Sequence, residues 1–302
     1  MDPHQAYLAV MEELKKHVAG NEDILELMFI CMVADGHALL EGVPGLAKTT
    51  MSKALADTIQ ADFKRVQGLP DLEPRDIVGY NYVDRDNSIK FKKGPIFSNI
   101  LLIDELNRAP PRTMAAFLET LEERQVTLEG VSMPLQKPFT ALATQNPLKI
   151  EGTEPLPKVL ADRFIMRIAV DYPTLEEEEE MVRIKQAEAS TIAKKVIDLN
   201  DIIAMQQAAK QITMPEDVLE YMTKIVAATR KEIHVVMGAS PRADIAFLKT
   251  SKAKALIEGR KEVNKDDIKF LAKPVLSHRI VVRSTGGIGV NGVIDGIIAA
   301  PE

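Results

Sequence analysis

Tryptophan is absent from this 302-residue chain, and cysteine occurs once. A lone thiol, Cys31, excludes an intrachain disulfide framework. Its place in the apolar run "LMFICMV" reads as a small buried hydrophobe. Runs long enough to cross a membrane, ~18 apolar residues, are missing too. The first residues, "MDPHQAYLAVMEELKKH", have neither the basic start nor the apolar centre of a signal peptide and read as an amphipathic helix. We therefore expect a cytoplasmic protein with reduced thiols. Positive charge is in deficit, with 38 Lys and Arg against 44 Asp and Glu and a formal net charge of -6. That is no footprint for nucleic acid, which calls for a basic domain, although Lys90, Lys92 and Lys93 leave a local patch open. His4, His17, His37, His234 and His278 are scattered, with no metal-ligand spacing.

What is present is an ordinary water-soluble composition, 46% hydrophobic and 27% charged. The length suits one large domain or two smaller ones. In the first half, short apolar runs alternate with helical patterns. "HALLEG" (37–42), "DFKRVQG" (62–68), "SNILLIDELN" (98–107), "FTALATQNP" (139–147) and "RFIMRIAVDYP" (163–173) are strand candidates. "TTMSKALADTI" (49–59) and "RTMAAFLETLEER" (112–124) have helical spacing. Strands alternating with helices predict an α/β fold built on a parallel sheet. The character changes near Asp171–Thr174, where Thr174 and Glu177 have capping-box spacing ahead of five glutamates. Four helical blocks follow, so we expect an α/β core over 1–172 and a smaller all-α domain over 173–302. "STGGIGVNGVIDG", at the end, is glycine-rich and is expected to be flexible, with no chemistry assigned to it.

The chemistry starts at "GVPGLAKTT", which follows a strand and precedes a helix. G-x-x-x-x-G-K-[ST] is the phosphate-loop pattern, in which backbone N–H groups and a helix N-terminus hold phosphates. Gly42, Pro44, Gly45, Leu46, Ala47, Lys48, Thr49 and Thr50 are the candidate ligand-binding positions. Lys48 would pair with the phosphates, and Thr49 would hold Mg²⁺. Ala47 stands where the pattern has its last glycine. Glycine is required there only if φ is positive or a Cβ would strike the phosphates, so Ala47 is expected at negative φ. "ILLIDEL" ends an apolar strand in Asp104 and Glu105, where Asp104 would help hold Mg²⁺ and Glu105 would polarise the attacking water. The alternative is that Asp104 caps the next helix. Asn146 ends another apolar strand, either to orient that water or to make a plain Asn-Pro turn. Arg163 is a structural ion-pair residue or an arginine acting across a subunit contact. Arg242 opens a helix of the second domain, from which it could reach the nucleotide. Arg108 and Arg112 flank Pro110-Pro111 and read either as interface residues or as solvated helix-start residues.

Taken in order, "GVPGLAKT", "GPIFSNILLIDELNRAPPRT", "LEERQVTLEG", "ATQNP", "LPKVLADRF" and "GASPRA" resemble the MoxR family of AAA+ ATPases, over residues 18 to 283. The family's own loop carries alanine at the position of Ala47. The resemblance implies an AAA+ P-loop core with a helical lid, ATP and Mg²⁺ as ligands, and hydrolysis coupled to chaperone-like remodelling. It implies that Lys48, Glu105, Asn146 (sensor 1) and Arg163 (arginine finger) are catalytic. It also makes Arg242 sensor 2 and "VAGNED" (18–23), with Val18, Ala19 and Gly20, the adenine cradle. A hexameric ring and a partner carrying a von Willebrand factor A-type domain are further implications. Residues 70–97 and 124–137 match two hairpin inserts of the same clade, the second turning at Glu129-Gly130. A nucleotide-gated scaffold, a chelatase-type motor and a DNA-associated motor are the alternatives, the last disfavoured by the acidic balance.

Overall fold

The computed structural model describes residues 1–147, 155–186, 192–283 and 289–299. The chain opens with two helices, α1 (Pro3–Leu14) and α2 (Glu22–Val33). Asp2 caps α1 by accepting from the backbone N–H groups of His4 and Gln5 at 3.0 and 3.3 Å. The apolar run around Cys31 is the body of α2, and it is buried all round because the helix lies inside the molecule rather than on its surface.

A five-stranded sheet follows. Its members are β1 (Ala38–Glu41), β2 (Phe63–Gln67), β5 (Ile100–Asp104), β8 (Thr140–Gln145) and β9 (Met166–Ala169). Every pairing is parallel, in the order β2-β5-β8-β1-β9. All five strands fall within the expected apolar runs. The crossovers are α3 (Lys48–Thr58), α5 (Pro111–Glu123) and the short α6 (Lys158–Ala161), with α4 (Pro74–Val78) preceding the first insert. On α5, Met114, Phe117 and Leu121 share the face turned to the sheet. The register Gln67↔Asp104 and Glu41↔Gln145 brings the carboxyl ends of four strands to one edge. That edge is where open parallel sheets bind ligands.

Both expected inserts are antiparallel hairpins. They are β3 (Gly79–Val83) with β4 (Ile89–Lys93), and β6 (Gln125–Leu128) with β7 (Val131–Pro134). The second turns at Glu129 and Gly130, both with positive φ (50° and 80°), as a tight primed turn requires. Asn81 Nδ2 donates to Glu129 Oε2 at 2.8 Å, so the hairpins stand side by side.

Beyond β9 the chain is helical, as expected. The elements are α7 (Leu175–Gln186), α8 (Leu199–Gln211), α9 (Glu216–Ala228), α10 (Pro241–Ile257), α11 (Lys265–Leu276) and α12 (Val290–Ala299). A small two-stranded pair, β10 (Val235–Met237) and β11 (Val281–Val282), accompanies them. The Thr174–Glu177 capping box forms, with the Thr174 N–H donating to Glu177 Oε2 at 2.8 Å and the Glu177 N–H to Thr174 Oγ1 at 3.3 Å. The glycine-rich tail is helical from Val290, because Val290, Val293, Ile294 and Ile297 recur at helical spacing and pack inward. Residues 284–288 of that segment lie outside the described residues.

The helical region is seated on α1 and α2. A single apolar cluster joins Val10, Leu14, Leu25 and Phe29 of the first helices to Met205, Phe247 and Leu271. A polar tie reinforces it, since the buried Glu13 carboxylate accepts from the Lys194 N–H at 2.9 Å, Lys16 Nζ at 2.9 Å and His17 Nε2 at 3.1 Å. Burial by itself would raise this carboxyl, but those donors outweigh it and hold the group at about 2, below the ordinary 4.5. With the folded value depressed, the stabilisation is complete above pH ~4.5 and is lost as pH falls toward 2. Glu13→Gln is expected to lower the melting temperature by several degrees at neutral pH, with the gap to wild type closing between pH 4.5 and 2. A melting series across that range checks both parts.

Candidate nucleotide site

The loop after β1 is shaped by two left-handed residues. Gly45 has φ 92°, and Ala47, at the N-cap of α3, has φ 51° and ψ 16°. The expected negative φ at Ala47 is therefore overturned. The turn into α3 needs a left-handed residue where the general pattern has glycine, and alternating hands turn successive N–H groups toward one concavity. Alanine meets the requirement with the smallest possible Cβ, at a cost of roughly 1–2 kcal/mol. Gly42 is constrained differently, because a Cβ there would lie 2.4 Å from the Val170 carbonyl oxygen. Lys48, the first residue of α3, folds back over the loop, and its Nζ donates to the carbonyls of Gly42 and Val43 at 2.7 Å each. Burial pushes the Lys48 ammonium below its ordinary range, while Asp104 and Glu105 favour its charged form.

Facing the loop are the ends of β5 and β8. The Thr144 hydroxyl donates to Asp104 Oδ1 at 2.7 Å and accepts from the Glu105 N–H at 2.8 Å. Glu105 has φ 53°, the strained backbone that turns the chain out of the sheet into a 3₁₀ turn, Leu106–Arg108. Each carboxylate of the acidic pair carries an arginine of this chain. Arg65 Nη2 reaches Asp104 Oδ2 at 2.5 Å, and Arg108 Nη1 reaches Glu105 Oε2 at 2.7 Å.

The resulting cleft encloses about 290 Å³. It is lined by Gly42, Pro44, Gly45, Leu46, Ala47, Lys48, Thr49, Asp104, Glu105, Thr144, Gln145 and Asn146. Ten of the expected site residues thus converge there. Thr49 and Asp104 offer oxygen donors to the same space, which suits a hard dication such as Mg²⁺. Thr50 is exposed on α3 outside this lining. Val18, Ala19 and Gly20 also lie outside it; the two apolar ones are buried, and the Glu177 side chain lies against Gly20.

Arg163 and Arg242 stand elsewhere. Together with Asp35, Glu122, Arg124, Asp162 and Lys249 they line a second cavity of about 340 Å³ that shares no residue with the first. Arg242 was expected to reach a nucleotide from the lid. It lies beside Arg163 and outside the lining of that cleft, with α10 packed on α11, α8 and α2. Sequence reasoning missed Thr144 and Arg65 at the acidic pair, and it named Arg108 without its pairing to Glu105. The position of Thr144 inside "ATQNP" was its only signal, and Arg65 depends on strand order, which no local pattern displays.

Residues 37–166 match the model of the ATPase family associated with various cellular activities (AAA), and 227–288 match the AAA lid domain. The chain is 38% identical to the uncharacterised protein YeaC of Bacillus subtilis, over 99% of this chain and 95% of that one. It is 36% identical to the chaperone MoxR1 of Mycobacterium tuberculosis, over 89% and 74% respectively. It is 26% identical to the MoxR protein of Methylorubrum extorquens, over 89% and 85%. A crystal structure of a Cytophaga hutchinsonii protein, named there as a candidate ATPase, superposes with a TM-score of 0.91 at 36% identity, covering 98% of this chain and 94% of that one.

The left-handed backbone at Ala47 has a measurable consequence. Ala47→Gly relieves the Cβ strain but loosens the unfolded chain, so its unfolding free energy is expected within about 1 kcal/mol of wild type, on the stable side. Ala47→Val, β-branched at positive φ, is expected to cost more than about 1 kcal/mol. Thermal or urea unfolding of the two variants distinguishes them.

Proposed function

Because the chain belongs to the MoxR family of AAA+ ATPases, we propose that it hydrolyses ATP with Mg²⁺ in the cleft between the phosphate loop and the ends of β5 and β8. The observation that carries this reading is the Thr144 hydroxyl, which fixes Asp104 and the Glu105 backbone across from Lys48 and Thr49. In this reading the loop N–H groups and Lys48 hold the phosphates. Thr49 and Asp104 hold Mg²⁺, which supplies charge neutralisation at the phosphate oxygens. Glu105 takes the proton of the attacking water, and Asn146 orients that water. Val18, Ala19 and Gly20 cradle the adenine.

Arg163 and Arg242 act on the terminal phosphate of a neighbouring copy. Their separation from the cleft of their own chain supports that assignment. A ring, hexameric in our reading, closes each cleft with the arginines of the next subunit. Residues 1–172 form its nucleotide-binding core and 173–302 its lid. The chaperone relative supports remodelling of client proteins as the work done, with a von Willebrand factor A-type protein as the partner.

A second reading, a nucleotide-gated scaffold with slow turnover, is favoured by one observation. Both acidic side chains are already paired, Asp104 with Arg65 and Glu105 with Arg108, so hydrolysis must first release Glu105.

Glu105→Gln is expected to cut steady-state phosphate release by at least about 100-fold while ATP binding persists. Arg163→Ala is expected to cut it by roughly 1,000-fold with binding also retained. Wild-type release by Glu105→Gln contradicts the hydrolytic reading. Loss of binding in Arg163→Ala contradicts the role given to that arginine.

A further inference from the structure

The arginine pair has an organiser of its own. Arg163 follows α6 in the core and Arg242 is near the N-terminus of α10, yet both guanidiniums meet one oxygen of one carboxylate. Arg242 Nη2 lies 2.8 Å from Glu122 Oε1, and Arg163 Nη1 pairs with the same atom. Glu122 is near the C-terminal end of α5, the helix that starts just past the acidic pair.

Apart from Lys249, the other charges nearby are already committed. Arg279, only 3% exposed, donates to Asp162 Oδ1 at 3.0 Å and to the carbonyls of Phe164 and Ile165 at 2.8 and 3.1 Å, which fixes the backbone around Arg163. Arg124 is tied to Asp35, at 2.8 Å to its carbonyl and 3.2 Å to its carboxylate. Asp162 also accepts from Ser240 at 3.3 Å and lies 4.0 Å from Arg242 Nε. The backbone at Arg163 is thus held from the helical domain, and its guanidinium is held by Glu122. Two cations on one carboxylate leave a net positive pair, with Lys249 beside it. A net positive pair of this kind attracts an anion.

We propose that Glu122 is a positioning residue that holds Arg163 and Arg242 at one spacing, so that they meet the terminal phosphate bound by a neighbouring copy as a single unit. The proposal rests on the trans reading given above. A freely rotating arginine would have to be ordered at each turnover, and misplacement by about 1 Å costs up to ~100-fold in rate.

The test uses the full chain. Glu122→Gln and Glu122→Ala are assayed for ATP turnover, for KM and for affinity toward a non-hydrolysable ATP analogue. Turnover number is expected to fall roughly 10- to 100-fold, with KM and analogue affinity within about twofold of wild type, since Glu122 does not touch the cleft of its own chain. Each variant is then mixed with Glu105→Gln. The Glu105→Gln subunit offers an intact arginine pair to the intact acidic site of the Glu122 variant, so turnover should exceed the sum of the two separate preparations. Arg163→Ala mixed with Glu105→Gln is the control. If the control does not regain turnover, the trans reading falls and this proposal falls with it. If the control regains turnover but the Glu122 mixtures do not, or if both Glu122 variants turn over at the wild-type rate, the positioning role alone is wrong. Glu122→Gln keeps the shape of the side chain, and it decides the question if Glu122→Ala does not fold.

Discussion

The Thr144 hydroxyl joins two strand ends, and the site depends on that join. It donates to Asp104 and accepts from the Glu105 N–H, which works only because β5 and β8 run parallel in the register Ile103↔Ala143. Held there, Glu105 adopts a left-handed backbone, and the chain leaves the sheet in a single 3₁₀ turn. That turn sets Arg108 against the Glu105 carboxylate and sends α5 away from the cleft. About 20 Å of helix later, the same element delivers Glu122 to the arginine pair. One hydroxyl and one strained residue therefore fix the acidic pair and the direction of the helix that carries Glu122.

Electrostatics divides the chain into two incomplete halves. The cleft has a lysine, a hydroxyl and two carboxylates, with both carboxylates already matched by Arg65 and Arg108. The second cavity has an excess of guanidinium groups and no phosphate loop. Each holds what the other lacks, and they share no lining residue within one chain. In the proposed assembly, two copies placed cleft to arginine pair complete one site at each contact, a head-to-tail arrangement that gives a ring where the rotation closes and an open filament where it does not. The helical region's seat on α1 and α2 matters here, because it turns Arg242 away from the phosphate loop of its own chain and beside Arg163.

Much of this was legible in the residues. Period-two and buried-strand patterns located all five strands of the sheet, and the spacing from Gly42 to Thr49 and the Asp104-Glu105 pair located the cleft. Those signals are local, because a strand end and a glycine turn are determined within a few residues. Ala47 shows where local reasoning fails. The identity of the residue argued for negative φ, while the geometry of the turn demanded a left-handed residue and accepted the small methyl. The place of Arg242 beside Arg163 was hidden for a different reason, since it depends on how one domain packs on another, and no spacing encodes that. Arg65 and Thr144 needed the strand order, and Glu122 needed both the strand order and the domain packing. The helix at the glycine-rich end rests on the apolar spacing of Val290, Val293, Ile294 and Ile297, which its glycine content hid.

The central claim is that a hydrolytic site is completed by a second copy of the chain. The most direct measurement is the initial rate of phosphate release per subunit, at saturating Mg²⁺ and ATP, across a wide dilution series of the wild-type protein, with mass measured by light scattering on the same samples. The account predicts that turnover per subunit rises with concentration and saturates as the multi-subunit species forms. Turnover per subunit that stays constant down to concentrations where only the single chain is present would contradict it.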